Sequence, residues 1–375
     1  MRGAPYRVAQ VLEAHGESLA GYCNNAWQAR TLHAIRKCRT AALGGHIDRC
    51  QNPECGKLHL SYNSCRNRHC PTCQGHKREQ WIRAREKELL NVPYFHVVFT
   101  LPDTLNGLCL CAPKEMYGLL FKTAWSVVRD FGVNPRFLGA HTGMVAILHT
   151  WGQNLCLHPH LHCIVPGGGI TASGKWKHAK NKGKFLFPVK ALSKVFRARF
   201  VQGLKRQHPH LEKALIQKLF EKDWVVYCKR PFFGPPQVVE YLGRYTHRIA
   251  ISNHRLKNLD GGQVVFSVKD YRRGGKTSLM CLPHKEFIRR FALHILPRAF
   301  VRIRHYGILS SCKKNVVLPL LREQVGAGAV ALKPPLAHRS CPECKTGRLV
   351  TLLVFGPRGP PARWLQKLEE QGILI

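Results

Sequence analysis

His160 and His162, on either side of Leu161 in HPHLHCIVPGGG, are the residues of this chain best placed to do metal chemistry. On a β-strand alternate side chains share one face about 6–7 Å apart. Both imidazoles can therefore lean on one ion while Leu161 turns into the core. The chain has 21 histidines, enough for about one His-x-His pair by chance. His208 and His210, around Pro209 in a basic helical stretch, are such a pair and receive no role. His160 and His162 differ by context: a strand-like run that ends in a glycine turn, with a tyrosine pair further along. Imidazole with oxygen ligands suits Mg2+ or Mn2+ in phosphoryl transfer. Two imidazoles are too few for such an ion. His149, Gln153, His158 and Glu240 can each supply a third ligand, and His149, on the preceding strand, is favoured.

Tyr241 and Tyr245 in EYLGRYTHR are spaced i, i+4, which puts both phenols on one side of a helix. An aromatic pair at this spacing ordinarily packs a core. Here Arg244, His247 and Arg248 surround it, and a core-facing stripe rarely carries so much positive charge. A tyrosine attacking phosphorus needs its phenolate favoured and the phosphate neutralised, and cations with a metal supply both. The product is a 5′-phosphotyrosyl link with a free 3′-hydroxyl, close in energy to the phosphodiester consumed, so rejoining needs no ATP. The chain contains no G-x-x-x-x-G-K-[ST] loop, in keeping with this.

The cysteines carry a second chemistry. Cys50, Cys55, Cys65, Cys70 and Cys73 crowd one short stretch with His46, His59 and His69. Cys50 with Cys55 and Cys70 with Cys73 form two close pairs, the arrangement tetrahedral Zn2+ requires, and Cys65 or His69 could replace a member. Four ligands close the shell, so this site is structural. The loop it folds carries Arg66, Arg68, Lys77 and Arg78, expected to face DNA phosphates. Cys341 and Cys344 look like half of another such site, with no matching pair nearby in sequence.

Composition agrees with a polyanionic partner. Lys plus Arg total 59 against 21 Asp plus Glu, a net charge of +38. Such a chain repels itself when compact and is best tolerated on nucleic acid. An anionic membrane surface fits less well, since no long basic amphipathic helix is visible. No apolar run is long enough to span a bilayer, and the first residues lack the apolar stretch of a signal peptide. With 16 cysteines and no export signal, metal ligands or buried thiols are expected rather than disulfides, in the cytoplasm.

The elements that must position these residues alternate irregularly. Residues 1 to about 45 read as helical, 46–76 as irregular, and HKREQWIRAREKELLN as a charged connecting helix. VPYFHVVFTLP predicts a buried strand, residues 114–132 a helix, and MVAILHTW and HPHLHCIVPGGG two more strands. Residues 190–220 read as helical, WVVYCKRPF as a strand, and PPQVVEYLGRYTHR as a helix. IAISNHRL and QVVFSVKDY form a strand pair turning at Asp260-Gly261-Gly262, and HKEFIRRFALHIL is a helix. Beyond Cys312 regular pattern is lost. The expected class is α+β with an antiparallel sheet: a small helical zinc-binding, DNA-binding domain over 1–90, a catalytic domain over 91–311 and an irregular basic tail over 312–375.

Taken together, HPHLH with its glycine turn, YLGRYTHR about eighty residues later, SCRNRHCPTCQ and FIRRFALHILPRAFVRIRHYGIL resemble the two-tyrosine rolling-circle transposases of bacterial insertion sequences. These belong to the His-hydrophobic-His (HUH) endonuclease superfamily and carry an N-terminal zinc-binding domain. The resemblance implies an antiparallel-sheet nuclease core, His160 and His162 as metal ligands, and Tyr241 and Tyr245 as nucleophiles. It implies single-stranded DNA at element ends and target DNA as substrates, with strand displacement left to a host helicase or replication machinery. It does not settle the third ligand. Two other readings remain open: a plasmid or phage replication initiator or relaxase with the same chemistry, and a non-catalytic zinc-dependent DNA-binding protein.

Overall fold

A computed structural model describes residues 4–73, 81–82, 84–86, 88–183, 185–232, 238, 249–270, 274–326 and 339–373. The elements in chain order begin with helices α1 (Val8–Glu13) and α2 (Ala26–Arg36), strands β1 (Gly45–Cys50), β2 (Leu58–Tyr62) and β3 (Tyr94–Thr100), and helices α3 (Asn106–Cys111) and α4 (Pro113–Val133). Strands β4 (Gly143–Trp151), β5 (Leu157–Pro166), β6 (Gly168–Ile170) and β7 (Trp176–His178) follow, then helices α5 (Val189–Gln207) and α6 (Lys213–Glu221). The later elements are β8 (Val226–Phe232), β9 (Leu256–Asn258), β10 (Gln263–Asp270), β11 (Lys276–Pro283), α7 (His284–Ala292), β12 (Ile303–Gly307), α8 (Lys314–Val325), β13 (Leu349–Phe355) and α9 (Ala362–Glu369). This is an α+β protein.

The central sheet has five strands in the order β12-β4-β5-β3-β8, and its neighbours pair antiparallel. Period-2 alternation divides its side chains cleanly. Phe95, Val97 and Phe99 of β3, Met144, Ala146 and Leu148 of β4, and Leu161, Cys163 and Val165 of β5 pack on one face against apolar residues of α4 and α5, including Leu120, Phe121, Phe196 and Phe200. Pro113 opens α4 at its first turn, where a missing N–H costs nothing. The opposite face presents Val145, Ile147 and Ile164, covered by Leu90, Val92, Ile308, Leu318 and Val238. The three histidines of β4 and β5 stand on this second face.

A second core joins distant parts of the chain. Val8, Val11 and Leu12 of α1 and Leu32 and Ile35 of α2 are buried with Val264, Phe266, Phe287, Ile288 and Phe291. The N-terminal helices thus fill their apolar stripe with residues of β10 and α7, far outside the expected 1–90 unit.

Several elements differ from the sequence expectation. Residues 46–76 hold β1 and β2. The strand expected over IAISNHRL does not form: residues 253–255 make a tight helical turn, and only Leu256 belongs to the short β9 that follows. Its partner β10 pairs along its whole length with β11, whose mostly exposed KTSLMCLP carries no apolar alternation to mark it. The stretch after Cys312 is not irregular throughout: it carries α8, β13 and α9, and β13 is the outer strand of a three-stranded sheet, β13-β1-β2. Of the charged connecting helix, residues 76–80, 83 and 87 lie outside the described residues, and so does all of the tyrosine helix but Val238.

Candidate metal centre and cysteine modules

Adjacent antiparallel strands bring the histidines together. In the β4–β5 register His149 lies directly opposite His160, and Ile147 opposite His162. The ligand nitrogens of His149, His160 and His162 all lie within 4.8 Å of one another. His149 and His162 are buried, and Trp151 stacks on the His149 ring at 4.5 Å between centroids. Leu161, between the two β5 histidines, is fully buried in the helix-covered core.

Ring tautomers follow from the hydrogen bonds. His160 Nδ1 lies 2.6 Å from the carbonyl oxygen of His158, so Nδ1 donates and Nε2 keeps a lone pair. That Nε2 faces His162 Nε2 at 3.2 Å. On its other side His162 Nδ1 meets His96 Nε2 at 2.9 Å. With an ion between the rings, His162 would hold its proton at Nδ1 and donate it to His96, the outer partner that orients a metal-bound imidazole. Burial lowers the pKa of His160 to about 4, so this ring is neutral and lone-pair bearing at neutral pH. The donor set fits a divalent cation with open positions for oxygen ligands.

His96 is a site residue the sequence reading missed. Its signal was present: in YFHVVFT the buried Phe95, Val97 and Phe99 define one face, which puts His96 on the other with the histidine site. Of the other ligand candidates, His158 accepts from His160 Nδ1 through its backbone carbonyl, and the backbone carbonyl of Gln153 accepts from Arg255 at 2.5 Å. Glu240 lies outside the described residues, as do Tyr241, Tyr245, Arg244, Arg248, Lys77 and Arg78.

The surroundings of the tyrosine segment are described at both ends. Val238, three residues before Tyr241, is helical and fully buried with Ile147 and Ile164, on the histidine face of the sheet. Ile249, four residues after Tyr245, lines a small cavity with Trp151, His294 and Arg302. His294 accepts at Nδ1 from Thr150 Oγ1, 3.1 Å away, and donates from Nε2 to the Leu155 carbonyl at 2.9 Å. It thereby braces the turn joining the two histidine strands.

The cysteines group differently from the expected set. Cys50 and Cys55 do not join Cys70 and Cys73. The latter two cluster with Cys38 and Cys65, and Cys50 and Cys55 cluster with Cys341 and Cys344. Chain proximity misled here, because β1 and β2 carry Cys50 and Cys55 away from the loop bearing Cys65, Cys70 and Cys73. In the first cluster Cys38 Sγ stands 3.5 Å from Cys73 and 3.6 Å from Cys70, and Cys65 Sγ 3.7 Å from Cys73. A tetrahedral ion with Zn–S bonds of about 2.3 Å spaces its sulfurs about 3.8 Å apart, whereas a disulfide needs about 2.05 Å. Four thiolates fit one structural Zn2+. Cys38, just beyond α2, had no close pair in sequence to point to it.

Arg68 is also placed otherwise than expected. It is half-buried, and its guanidinium is engaged within the protein. Its guanidinium donates to the carbonyls of Phe300 at 2.5 Å and Pro297 at 3.0 Å and to His69 Nε2 at 3.2 Å. It clamps the cysteine loop to the chain leading into β12. Arg66 is exposed, with a left-handed backbone at φ 51°.

A DNA-processing protein with a zinc module is the class these features define, and the comparisons agree. A family model described as "Putative transposase" matches residues 143–316, and one described as "Transposase zinc-binding domain" matches residues 11–101. A Sinorhizobium fredii protein described as "Putative transposase y4qJ" is 41% identical over 95% of this chain and 98% of its own length. The transposase for insertion sequence element IS801 of Pseudomonas savastanoi pv. phaseolicola is 26% identical over 82% of this chain and 77% of its own. No solved structure matches. The chain belongs to the IS91/IS801 family of insertion-sequence transposases, with an N-terminal zinc-binding domain. Its substrate is therefore DNA. No described helix is long and apolar enough to cross a membrane.

Proposed function

We propose that this transposase nicks and rejoins single-stranded DNA at the ends of its element through a 5′-phosphotyrosine intermediate, in rolling-circle transposition. The observation that carries the reading is the histidine triad: three imidazoles on paired strands, with ligand nitrogens within 4.8 Å of one another. His149, His160 and His162 would hold Mg2+ or Mn2+. Such an ion, when bound, withdraws charge from a phosphate oxygen and makes phosphorus more open to attack.

The chain's own residues do the rest. Tyr241 and Tyr245 serve as nucleophiles, one keeping the 5′ end covalently while the other engages a second strand. Arg244 and Arg248 neutralise the phosphate that each phenolate approaches. Val238 packs on the histidine face and Ile249 lies beside Trp151, and these flanking residues support the reading. The large positive charge holds the strand through its phosphates, and binding should weaken steeply with salt. Strand displacement falls to a host helicase or replication machinery, since the sequence carries no phosphate-cradling motor loop.

The test uses a labelled single-stranded oligonucleotide of the element end, incubated with full-length protein and Mn2+. An SDS-resistant adduct is expected, with the label mapped by mass spectrometry to Tyr241 or Tyr245. Tyr241→Phe or Tyr245→Phe alone should block complete transposition while one of them still nicks. If no element-end sequence gives an adduct, the non-catalytic DNA-binding reading replaces this one.

A further inference from the structure

We infer that the chain holds a second structural zinc, bound by Cys50, Cys55, Cys341 and Cys344, and that this ion latches residues 339–373 onto the N-terminal module. Cys341 and Cys344 lie outside both matched family ranges, 11–101 and 143–316. Cys50 Sγ is 3.7 Å from Cys344 Sγ, and Cys55 Sγ is 3.8 Å from Cys341 Sγ. Both distances equal the edge of a tetrahedron of thiolates about 2.3 Å from one Zn2+. Both are far too long for a disulfide.

The two halves are built alike. Each cysteine pair sits on a tight turn whose next residue is left-handed: Gly56 at φ 52° after Cys55 and Lys345 at φ 62° after Cys344. The first cluster repeats the device, with Arg39 at φ 63° after Cys38 and Arg66 at φ 51° after Cys65. Among the described residues six non-glycine residues have positive φ, and Arg39, Arg66 and Lys345 are half of them. A left-handed residue after a turn gathers successive N–H groups around an anion. Three such residues each following a cluster cysteine point to thiolates as that anion. The Gly347 N–H donates to Cys344 Sγ at 3.2 Å. A Cβ at Gly347 would stand 2.2 Å from Cys50 Sγ, so the two turns interlock too closely for any side chain there.

The rest of the segment is shaped to the same partner. β13 pairs antiparallel with β1 from Gly45↔Phe355 to Cys50↔Leu349. Buried Asp48 of β1 accepts from Arg339 at 2.7 Å and from Thr351 Oγ1 at 2.6 Å. Ile47 and Leu58 are buried together with Phe355 and Leu368. This cluster is small, and a core of that size seldom holds alone without a staple such as a metal. The ion supplies it, joining residues almost three hundred positions apart. The fourfold sulfur shell is closed, so the latch is structural.

Full-length protein tests this without relying on the tyrosine reading. Native-state alkylation followed by mass spectrometry should find Cys50, Cys55, Cys341 and Cys344 protected together, and reactive together after chelation. Replacing both Cys341→Ser and Cys344→Ser should remove one equivalent of tightly bound zinc per chain and raise amide exchange across residues 45–50. Cys344→His, which offers a nitrogen ligand, should restore the equivalent. Free alkylation of Cys341 and Cys344 in molecules whose Cys50 and Cys55 stay protected overturns the inference. So does full zinc retention in the double serine variant. If that variant does not fold, the alkylation pattern of the unaltered protein decides.

Discussion

The histidine triad and the cysteine clusters are both multi-residue candidate metal centres, yet they are assembled in opposite ways. The triad draws its donors from two strands joined by a short turn, and β pairing sets its geometry before any ion arrives. Each cysteine cluster draws its donors from segments that meet only in the folded chain: Cys38 with the loop at 65–73, and Cys50 and Cys55 with Cys341 and Cys344. Three imidazoles leave open coordination positions, as chemistry on a substrate requires, and four thiolates leave none. The difference teaches which centre the fold builds and which centre builds the fold. Removing a donor from the first should cost activity with little loss of structure. Removing a donor from the second should cost structure first.

The sharpest break of that contrast comes from His160→Ala. Cleavage of an element-end oligonucleotide should fall by more than about 100-fold, since even outer partners of metal ligands are worth about 10–100-fold. DNA binding and the melting temperature should stay near those of the unaltered protein. Cleavage within a few-fold of normal would remove the triad from the chemistry. Cys38→Ser should behave oppositely, releasing the first-cluster zinc and lowering thermal stability, with DNA binding and cleavage declining together. Calorimetry with metal analysis reads this, and a stable variant that keeps its zinc would break the comparison from the other side.

A smaller effect is expected at His96. His96→Ala leaves all three triad imidazoles in place but removes the partner of His162 Nδ1, so Mn2+ affinity should drop by about 10–100-fold. Titration of cleavage against Mn2+ should show recovery at high metal, which loss of a direct ligand would not. The mildest expectation concerns pH. Burial holds His160 and His294 each down to about 4, whereas in the unfolded chain they take up a proton near 6.5. Between those values the unfolded state binds more protons, so stability should fall as pH drops from about 6.5 to about 4. Above about 6.5 these two groups contribute no slope. A melting temperature that rises on acidification through that window would contradict the assignment.

Much of the central sheet was legible because its signals are local. In β3 and β5 the side-chain period of two separates Phe95, Val97, Phe99 and Leu161 from His96, His160 and His162. Whichever strands pair, that alternation survives. The helix expected over residues 114–132 forms over 113–133, with an apolar stripe and a proline at its first turn. By contrast β11 is largely exposed and β13 half so, and neither carries a buried pattern to read. Arg68 looked like a cation for DNA because nothing in its neighbours names the carbonyls of Pro297 and Phe300 that it meets.

By itself the sequence determined the strand that carries His160 and His162, the charge that calls for a polyanion, and thiolate metal sites in place of disulfides. Each rests on residue type and short-range periodicity, which no later folding event can change. Only the tertiary structure decided that His149 and His96 flank that strand on one face, and which cysteines share a centre. Those depend on strand order and on docking across large sequence separations. There many pairings satisfy the same local pattern, and the buried contacts of the whole fold select one.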